Sequence, residues 1–260
     1  MKRLLLTAAA VLAVSQAGAA DLIAPGYQTK AAPAPYVASF SWTGLYVGGD
    51  LGYGWAAHSF DFLGTDPNSQ TFFAQLGNPG SLDQTTKGVT GGPHAGYNMQ
   101  FGSFVLGAEF EFDWSNMQST AARQAAANGM QATVGSGVRV DWYGTANARL
   151  GWSPSPNWLI SAVGGFAFGN ISDNAAVTCV VGCGVVGFSN GSSNTHTGWD
   201  AGAEVQWALS QNIIAGLRYR YVDLGNTSLF VTTGGANPLT FNGSTSARFN
   251  EAALTLSYRF

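Results

Sequence analysis

The chain has few charged residues, few histidines and cysteines, and no long apolar run beyond its first residues. Charged residues make up 10% of the 260 residues, against about 25% in ordinary soluble domains. The three histidines match no catalytic motif, and no two of them are spaced as metal ligands. Beyond the start of the chain, no apolar run approaches the about 20 residues of a membrane-spanning helix. These absences argue against an ordinary soluble domain, a zinc site and a helical membrane protein.

Residues 1–20 have the features of a cleaved export signal. Two basic residues are followed by an apolar stretch of eleven, residues 4–14, and then by small residues, which is the order found in signal peptides. Eleven residues are too few for an uncleaved anchor that crosses the bilayer. We predict cleavage between Ala20 and Asp21, or one residue earlier.

The exported chain is acidic and begins with a proline-containing segment. Removing the two basic residues of the signal leaves nine basic and fourteen acidic residues, a net charge of −5, which argues against a nucleic-acid partner. Residues 21–41 carry Pro25, Pro33 and Pro35 among alanines and small polar residues. This composition predicts a flexible periplasmic segment, and the main domain is then residues 42–260.

Eight segments of this domain alternate apolar and polar side chains, which is the period of a β-strand with one apolar face. The clearest runs from Phe104 to Trp114, where Glu109, Glu111 and Asp113 alternate with apolar residues. Three carboxylates at alternate positions would not face lipid, so we expect them to line an interior. The predicted fold is all-β, an eight-stranded antiparallel up-and-down transmembrane β-barrel.

The connections between these segments alternate strictly between short and long. The short ones lie around Gly102 and at residues 153–157 and 210–212. The long ones are residues 57–87, 115–138, 170–194 and 224–246. Outer-membrane barrels have short periplasmic turns and long surface loops. We therefore predict four long surface loops and, because the strand number is even, both termini in the periplasm.

The tryptophans provide an independent check on the barrel. Seven of the eight fall in the apolar phase of their strands, at two levels, and Trp42 is the exception. Trp142 and Trp152 share one strand, and their spacing gives a height of ~23 Å at about 3.3 Å per residue and a tilt near 45°. This matches an apolar band of about 25 Å bordered by aromatic girdles. A soluble sandwich or lipocalin-like barrel would have to bury nearly all of these aromatic residues.

Short motifs along the domain resemble a known family. They are WTGLYVGGDLGYG at residues 42–54, GYN at 96–98, GGFA at 164–167 and RYRYVDLG at 218–225. The chain is similar to the small outer-membrane surface antigens of alphaproteobacteria, a porin-family branch of the OmpA-like eight-stranded barrels. The resemblance implies an outer-membrane location in a Gram-negative cell. Some members of the family are described as immunogenic or hemin-binding.

The end of the chain resembles the C-terminal signal by which the outer-membrane assembly machinery recognises its clients. Leu254, Leu256, Tyr258 and Phe260 share one face of the last segment. The resemblance implies that this machinery is a partner, and that outer-membrane lipid and lipopolysaccharide surround the folded barrel. A host or environmental ligand at the loops stays an open alternative.

The charged residues of the inward-facing phase form the first candidate site. An eight-stranded barrel is only about wide enough to be filled by its own side chains, so ionised groups inside must be paired. The predicted lumen charge network comprises Asp50, Glu109, Glu111, Asp113, Arg139, Asp141, Arg149, Asp200, Glu204, Arg218, Arg220, Glu251 and Arg259. We predict a structural ion-pair network, with a narrow or gated pore as the alternative.

The third predicted loop holds both cysteines, Cys179 and Cys183. Their spacing matches neither a zinc site nor a redox motif, and the compartment is oxidising. We predict a disulfide at the loop tip, with two free thiols as the alternative. The same loop is apolar over residues 175–188, which predicts either packing against neighbouring loops or an adhesive patch.

These features predict a structural wall component and surface antigen of the outer membrane, with no catalysis, no cofactor and no metal. A small gated diffusion pore and a ligand-binding or adhesive surface protein are the alternatives. Hemin binding through His58 or His196 is a special case of the second, because imidazole ligates haem iron. An outer-membrane hydrolase with a serine and a histidine on the barrel wall is a further alternative.

Overall fold

A computed structural model describes residues 40–78, 80–182, 187–232 and 239–260 of the chain. The predicted signal peptide, its cleavage site at Ala20 and Asp21, and residues 21–39 of the predicted N-terminal segment lie outside these ranges. No helix among the described residues is both long enough and apolar enough to cross a membrane.

Antiparallel strands account for most of the described residues. In chain order they are β1 (Gly44–Gly64), β2 (Ser81–Phe101), β3 (Phe104–Ser115), β4 (Gln118–Ala127), β5 (Met130–Ser155), β6 (Trp158–Val181), β7 (Phe188–Ala208), β8 (Ile213–Thr232) and β9 (Thr240–Arg259), with helix α1 (Pro67–Gln75) between β1 and β2. β1 pairs with β2 on one side and with β9 on the other. The other strands pair with strands near them in the chain, so the sheet closes as an up-and-down barrel.

The nine strands fill eight positions around the barrel, because β3 and β4 share one position. β3 pairs with β5 up to Trp114, and β4 resumes the pairing with β5 at Gln118. Asn116 and Met117 interrupt the strand between them. The predicted eight-stranded antiparallel barrel is confirmed.

The two ends of the barrel differ in the length of their strands. At one end, which we call the turn end, residues 102–103, 156–157 and 209–212 join successive strands. At the other end the strands continue through most of the residues that were expected to form surface loops. We call this extension the crown. It consists of the described residues within 56–87, 117–139, 171–196 and 224–248. Strand structure persists there because the inward-facing residues of the crown enclose an apolar core of their own.

Helix α1 contributes to that core through Phe73, whose ring centroid lies 5.8 Å from that of Phe241. The helix begins with Pro67 at its first position, after Asp66, whose carboxylate accepts a backbone hydrogen bond from Ser69 at 3.0 Å. The Ser69 hydroxyl also donates to Asp66, and these bonds lower the pKa of the Asp66 carboxyl to about 2. Strand alternation did not predict this helix, which lies within the first expected loop.

A β-bulge in β5 reverses the alternation partway along the strand. The pairing of β5 with β6 shifts between Val140 and Trp142, so Asp141 is an extra residue. Above the bulge, Val138 and Val140 are buried and Arg139 is exposed. The predicted inward positions of Arg139 and Asp141 are therefore wrong, and Val140 points inward instead, because one added residue exchanges the two faces of a strand.

Candidate functional site

Three arginine side chains occupy the barrel interior below the crown. Arg149 comes from β5, and Arg218 and Arg220 come from alternate positions of β8. All three side chains are at most 2% exposed. Gly202 is the partner of Arg220 on β7, and a Cβ there would lie 2.8 Å from the Cβ of Arg220. A Cβ would also collide with the Tyr219 carbonyl oxygen, so glycine at this position lets β7 lie close to the part of β8 that carries the arginine.

Arg149 and Arg218 share carboxylates from different strands. Arg149 contacts Glu109 and Glu204 at 2.7 Å each. Arg218 contacts Glu109 at 2.7 Å and Glu204 at 3.5 Å, and it also binds Glu111. Glu109 and Glu111 belong to β3, which lies opposite β8 in the ring of strands. The ion pairs between these two strands therefore cross the lumen.

Arg220 extends the network toward the crown. It contacts Asp113 at 2.6 Å and binds Glu111 and Glu251. Its guanidinium carbon lies 5.1 Å from the ring centroid of Tyr143, and the Tyr143 hydroxyl donates a hydrogen bond to Glu251. Glu111 also binds Arg218, and Glu109 joins Arg218 to Arg149. All three arginines therefore belong to one connected network.

Neutral side chains that the charge pattern did not single out complete this network. The hydroxyls of Tyr46 and Thr255 donate to Glu109 at 2.7 Å and to Glu204 at 3.1 Å, respectively. Gln206 accepts a hydrogen bond from Arg149 at 3.0 Å. Like the charged residues, these neutral residues occupy the inward-facing positions of their strands. The two-residue alternation could therefore have identified them from the sequence.

Two further carboxylates on the inner wall lie outside the arginine contacts. Asp200 accepts a hydrogen bond from Asn147 at 2.9 Å. The Asp50 side chain has no exposed area, and its ion-pair contact is with His94 Nδ1 at 3.9 Å. His94 in turn lies 2.7 Å from the Ser257 hydroxyl through its other ring nitrogen. Asp50 is thus buried beside the network without joining it.

Besides Asp50 and Asp200, three further members of the predicted network are not brought into it. Arg139 and Asp141 pair with each other at 2.5 Å at the bulge, with the Arg139 side chain 57% exposed. Arg259 lies at the turn end, where its guanidinium donates to the Gln211 carbonyl oxygen at 2.7 Å and lies 4.5 Å from the ring centroid of Phe40. The bulge and the end of β9 remove these residues from the level of the three buried arginines.

An apolar plug fills the turn end of the interior. Trp42 is fully buried, and its ring centroid lies 4.8 Å from that of Phe40. Leu159 and Ile214 belong to the same cluster, and the Trp42 backbone N–H donates to the Gln100 side chain at 2.8 Å. Packing into this plug explains why Trp42 departs from the outward phase of the other tryptophans.

Two apolar clusters fill the interior on the crown side of the network. The lower cluster includes Met117, Tyr143 and Phe249, and the upper one includes Phe60 and Phe241. From the turn end to the crown, the described interior thus holds an apolar plug, a charged network and two apolar clusters.

The outer surface of the barrel is apolar below the crown. Leu51, Leu217 and Leu254 are each more than half exposed. Exposed tryptophans border this belt on both sides: Trp55, Trp114 and Trp199 toward the crown, and Trp152, Trp158 and Trp207 toward the turn end. All four residues of the predicted assembly signal, Leu254, Leu256, Tyr258 and Phe260, are exposed. Soluble monomers do not expose an apolar belt of this extent, so its natural surroundings are lipid.

Comparisons with known proteins agree with this geometry. The model of the outer membrane protein beta-barrel domain family matches residues 6–260. The chain belongs to this family. It is 33% identical over 238 residues to the 31 kDa outer-membrane immunogenic protein of Brucella melitensis, which covers 88% of this chain and 90% of that protein. The predicted resemblance to outer-membrane surface antigens is confirmed.

Two further likenesses are more distant. The 22 kDa outer membrane protein of Rhizobium leguminosarum is 27% identical over 190 residues, covering 73% of this chain and 68% of that protein. The crystal structure of the outer membrane protein OprG from Pseudomonas aeruginosa has a TM-score of 0.50 at 7% identity, covering 85% of this chain and 98% of that chain. The OprG likeness shows the fold alone.

The histidines of this outer-membrane barrel do not form a common site. His58 lies on β1 in the crown, 3.5 Å from the Thr86 hydroxyl, and burial lowers its pKa. His196 lies on β7, separated from β1 by β8 and β9. Among the described residues, the cluster of potential metal ligands contains carboxylates and no histidine. Hemin binding through His58 or His196 stays a prediction.

The cysteines of the barrel are only partly described. Cys179 lies on β6 in the crown and is disulfide-bonded. Cys183 lies outside the described residues. The pairing of these two cysteines with each other therefore stays a prediction.

Proposed function

We propose that the protein is a structural, non-conducting barrel of the outer membrane whose crown is displayed at the cell surface as an antigen. The supporting observation is the filled lumen. The three arginines and the carboxylates that they bind have side chains no more than 3% exposed, whereas a water-filled pore would expose its polar lining.

The orientation of the barrel follows from the same proposal. Short turns lie on the periplasmic side of outer-membrane barrels, so the turn end faces the periplasm and both termini lie there. The crown then projects from the cell. The exposed belt contacts outer-membrane lipid and lipopolysaccharide. The assembly machinery recognises the face of β9 that ends at Phe260. The Brucella relative carries the word immunogenic in its name, which fits a surface-displayed crown.

Conductance in planar lipid bilayers tests the closed-barrel proposal. We expect purified, folded protein to show no channel events under conditions in which a reconstituted open porin shows them. A gel that separates folded barrel from heat-denatured chain establishes that the sample inserted is folded. Reproducible single-channel steps from the folded protein would contradict the proposal and favour the gated-pore alternative.

A second candidate function is adhesion through the tip of β6. The apolar segment expected to form a loop divides into two parts: Ala175 and Val177 are buried in the crown core, whereas Val180 and Val181 are 57% and 52% exposed. Exposed neighbouring valines at the end of the crown offer an apolar contact for a host or matrix partner.

This adhesive role can be tested by measuring how cells that carry a doubly substituted barrel bind to host-cell or matrix surfaces. We expect Val180→Ser with Val181→Ser to reduce binding of cells to host-cell or matrix surfaces. Leu63→Ser is the matched control, because Leu63 is also exposed in the crown but lies on β1. Equal binding by the double variant and the unchanged protein would remove the adhesive candidate.

A further inference from the structure

The described barrel interior holds more negative than positive charge. Seven carboxylates line it below the crown and three guanidiniums oppose them: Asp50, Glu109, Glu111, Asp113, Asp200, Glu204 and Glu251 against Arg149, Arg218 and Arg220. Three of these carboxylates lie close together. One carboxylate oxygen from each of Asp50, Glu111 and Asp113 lies within 4.8 Å of the other two.

Asp50 is the residue of this trio whose charge is left without a bonded partner. Neither of its carboxylate oxygens has a hydrogen-bond partner among the described residues, and the same is true of one oxygen of Asp113. The contact with His94 Nδ1, at 3.9 Å, is too long for a hydrogen bond. A buried carboxylate without donors is costly. A bound cation would supply both a positive charge and a partner for these oxygens.

A glycine of β2 lies between these carboxylates. Gly92 of β2 is the cross-strand partner of Asp50, and a Cβ at Gly92 would collide with the Phe112 carbonyl oxygen of β3. β2 therefore places no side chain between Asp50 on β1 and Asp113 on β3. The carboxylates of Asp50 on β1 and Asp113 on β3 can therefore approach one point over the backbone of β2, which lies between these two strands.

We propose that Asp50, Glu111 and Asp113 bind one hard divalent cation, Ca²⁺ or Mg²⁺, inside the barrel. Both ions prefer carboxylate oxygens, at about 2.0–2.6 Å, so two oxygens on one ion are separated by about 3–5 Å, in agreement with the spread of the trio. Its two positive charges would offset Asp50 and the part of the charge of Glu111 and Asp113 that Arg218 and Arg220 leave, since Arg218 is shared with Glu109 and Arg220 with Glu251. Zn²⁺ is a poorer match, because it favours nitrogen and sulfur ligands.

The bound ion can be counted after refolding. We would refold the purified full-length protein in detergent with CaCl₂ or MgCl₂, remove free ions by gel filtration, and measure the retained metal by inductively coupled plasma mass spectrometry. We expect one ion per folded chain for at least one of the two salts. We expect Asp50→Asn to retain less than a tenth of that amount. Refolding with a chelator should lower the thermal unfolding midpoint of the unchanged protein but not that of Asp50→Asn.

Asp200→Asn is the matched control, because Asp200 is a buried lumen carboxylate that bonds to Asn147 and lies outside the trio. This variant should retain the ion. Asp113→Asn is the second test variant if Asp50→Asn does not fold, and it should lose the ion as well. The proposal is overturned if the unchanged protein retains neither ion, or if the trio variants retain as much metal as Asp200→Asn.

Discussion

The barrel below the crown and the crown itself are built by the same strands but with opposite polarity. On β8, Arg220 points into the barrel and Leu217 points out, whereas in the crown Leu224 points in and Ser228 is exposed. β9 repeats the reversal, with Glu251 buried in the lower part and Phe241 buried in the crown. Whether the inner face is polar or apolar thus depends on whether lipid or water contacts the outer face.

The two regions are consequently stabilised in different ways. Where lipid surrounds the wall, every outward side chain must be apolar, and the polar residues left for the interior must satisfy one another. Where water surrounds the wall, the crown can bury an apolar core as soluble proteins do. Substitutions on the inner and outer faces of each region should therefore have different costs.

Removing Arg220 should have the largest effect, because its loss leaves Glu111, Asp113 and Glu251 without their shared cation. Breaking a buried ion pair costs about 3–5 kcal/mol, and we expect Arg220→Ala to lower the free energy of unfolding by about 5 kcal/mol, the upper end of that range. Urea unfolding in lipid vesicles, followed by tryptophan fluorescence, measures this loss.

The control for this prediction is Arg139→Ala, which removes the arginine of the exposed pair with Asp141. Exposed pairs contribute about 0–1 kcal/mol, so this variant should unfold almost as the unchanged protein does. Similar losses in both variants would show that burial of the network does not set its contribution.

In the crown, Phe60→Ala should create a cavity in the apolar core. Phe60 is fully buried, and such truncations cost about 3–5 kcal/mol. We expect a loss of about 3–4 kcal/mol in the local stability of the crown, measured by hydrogen exchange of crown peptides, with the belt below unchanged. Leu63→Ala on the same strand is the control, because Leu63 is exposed. Equal exchange in the two variants would contradict a packed crown.

The outer faces of the two regions can be compared with the same substitution. Arginine at the lipid-facing midplane of a barrel costs about 2–4 kcal/mol, so Leu217→Arg should lower the free energy of unfolding in vesicles by about 2–3 kcal/mol. Ser228→Arg, at an exposed position of the same strand in the crown, should have almost no effect. A comparable loss of unfolding free energy in Ser228→Arg would indicate that lipid also contacts the crown.

Phe260→Ala should have the smallest effect on stability, because Phe260 is exposed at the end of the chain. If the assembly machinery reads this residue, the variant should reach the outer membrane in smaller amounts, while the barrel that does insert unfolds at the usual urea concentration. Quantification of folded barrel in isolated outer membranes measures the first effect. Phe104→Ala, another exposed phenylalanine, should accumulate normally, and equal amounts of the two variants would argue against the signal.

Alternation predicted the strands of the lower barrel well and those of the crown poorly. The residues expected to form loops are largely strand, because tertiary closure lets Phe60 and Phe241 share a core that is not visible in either segment alone. The bulge at Asp141 was also not predicted. A single extra residue has no compositional signature, yet it changes which of Arg139 and Val140 is buried.

Short motifs were enough to indicate the family. Alternation was enough to predict the number of barrel positions and the inward phase of the buried arginines, because a period of two is a local property and lipid permits no unpaired backbone. Which charges meet could be seen only in the folded barrel. Arg218 and Glu111 pair because closure places β8 opposite β3, whereas Asp50 stays buried without an arginine. Partners across the lumen depend on barrel closure and register, which couple residues far apart in the chain.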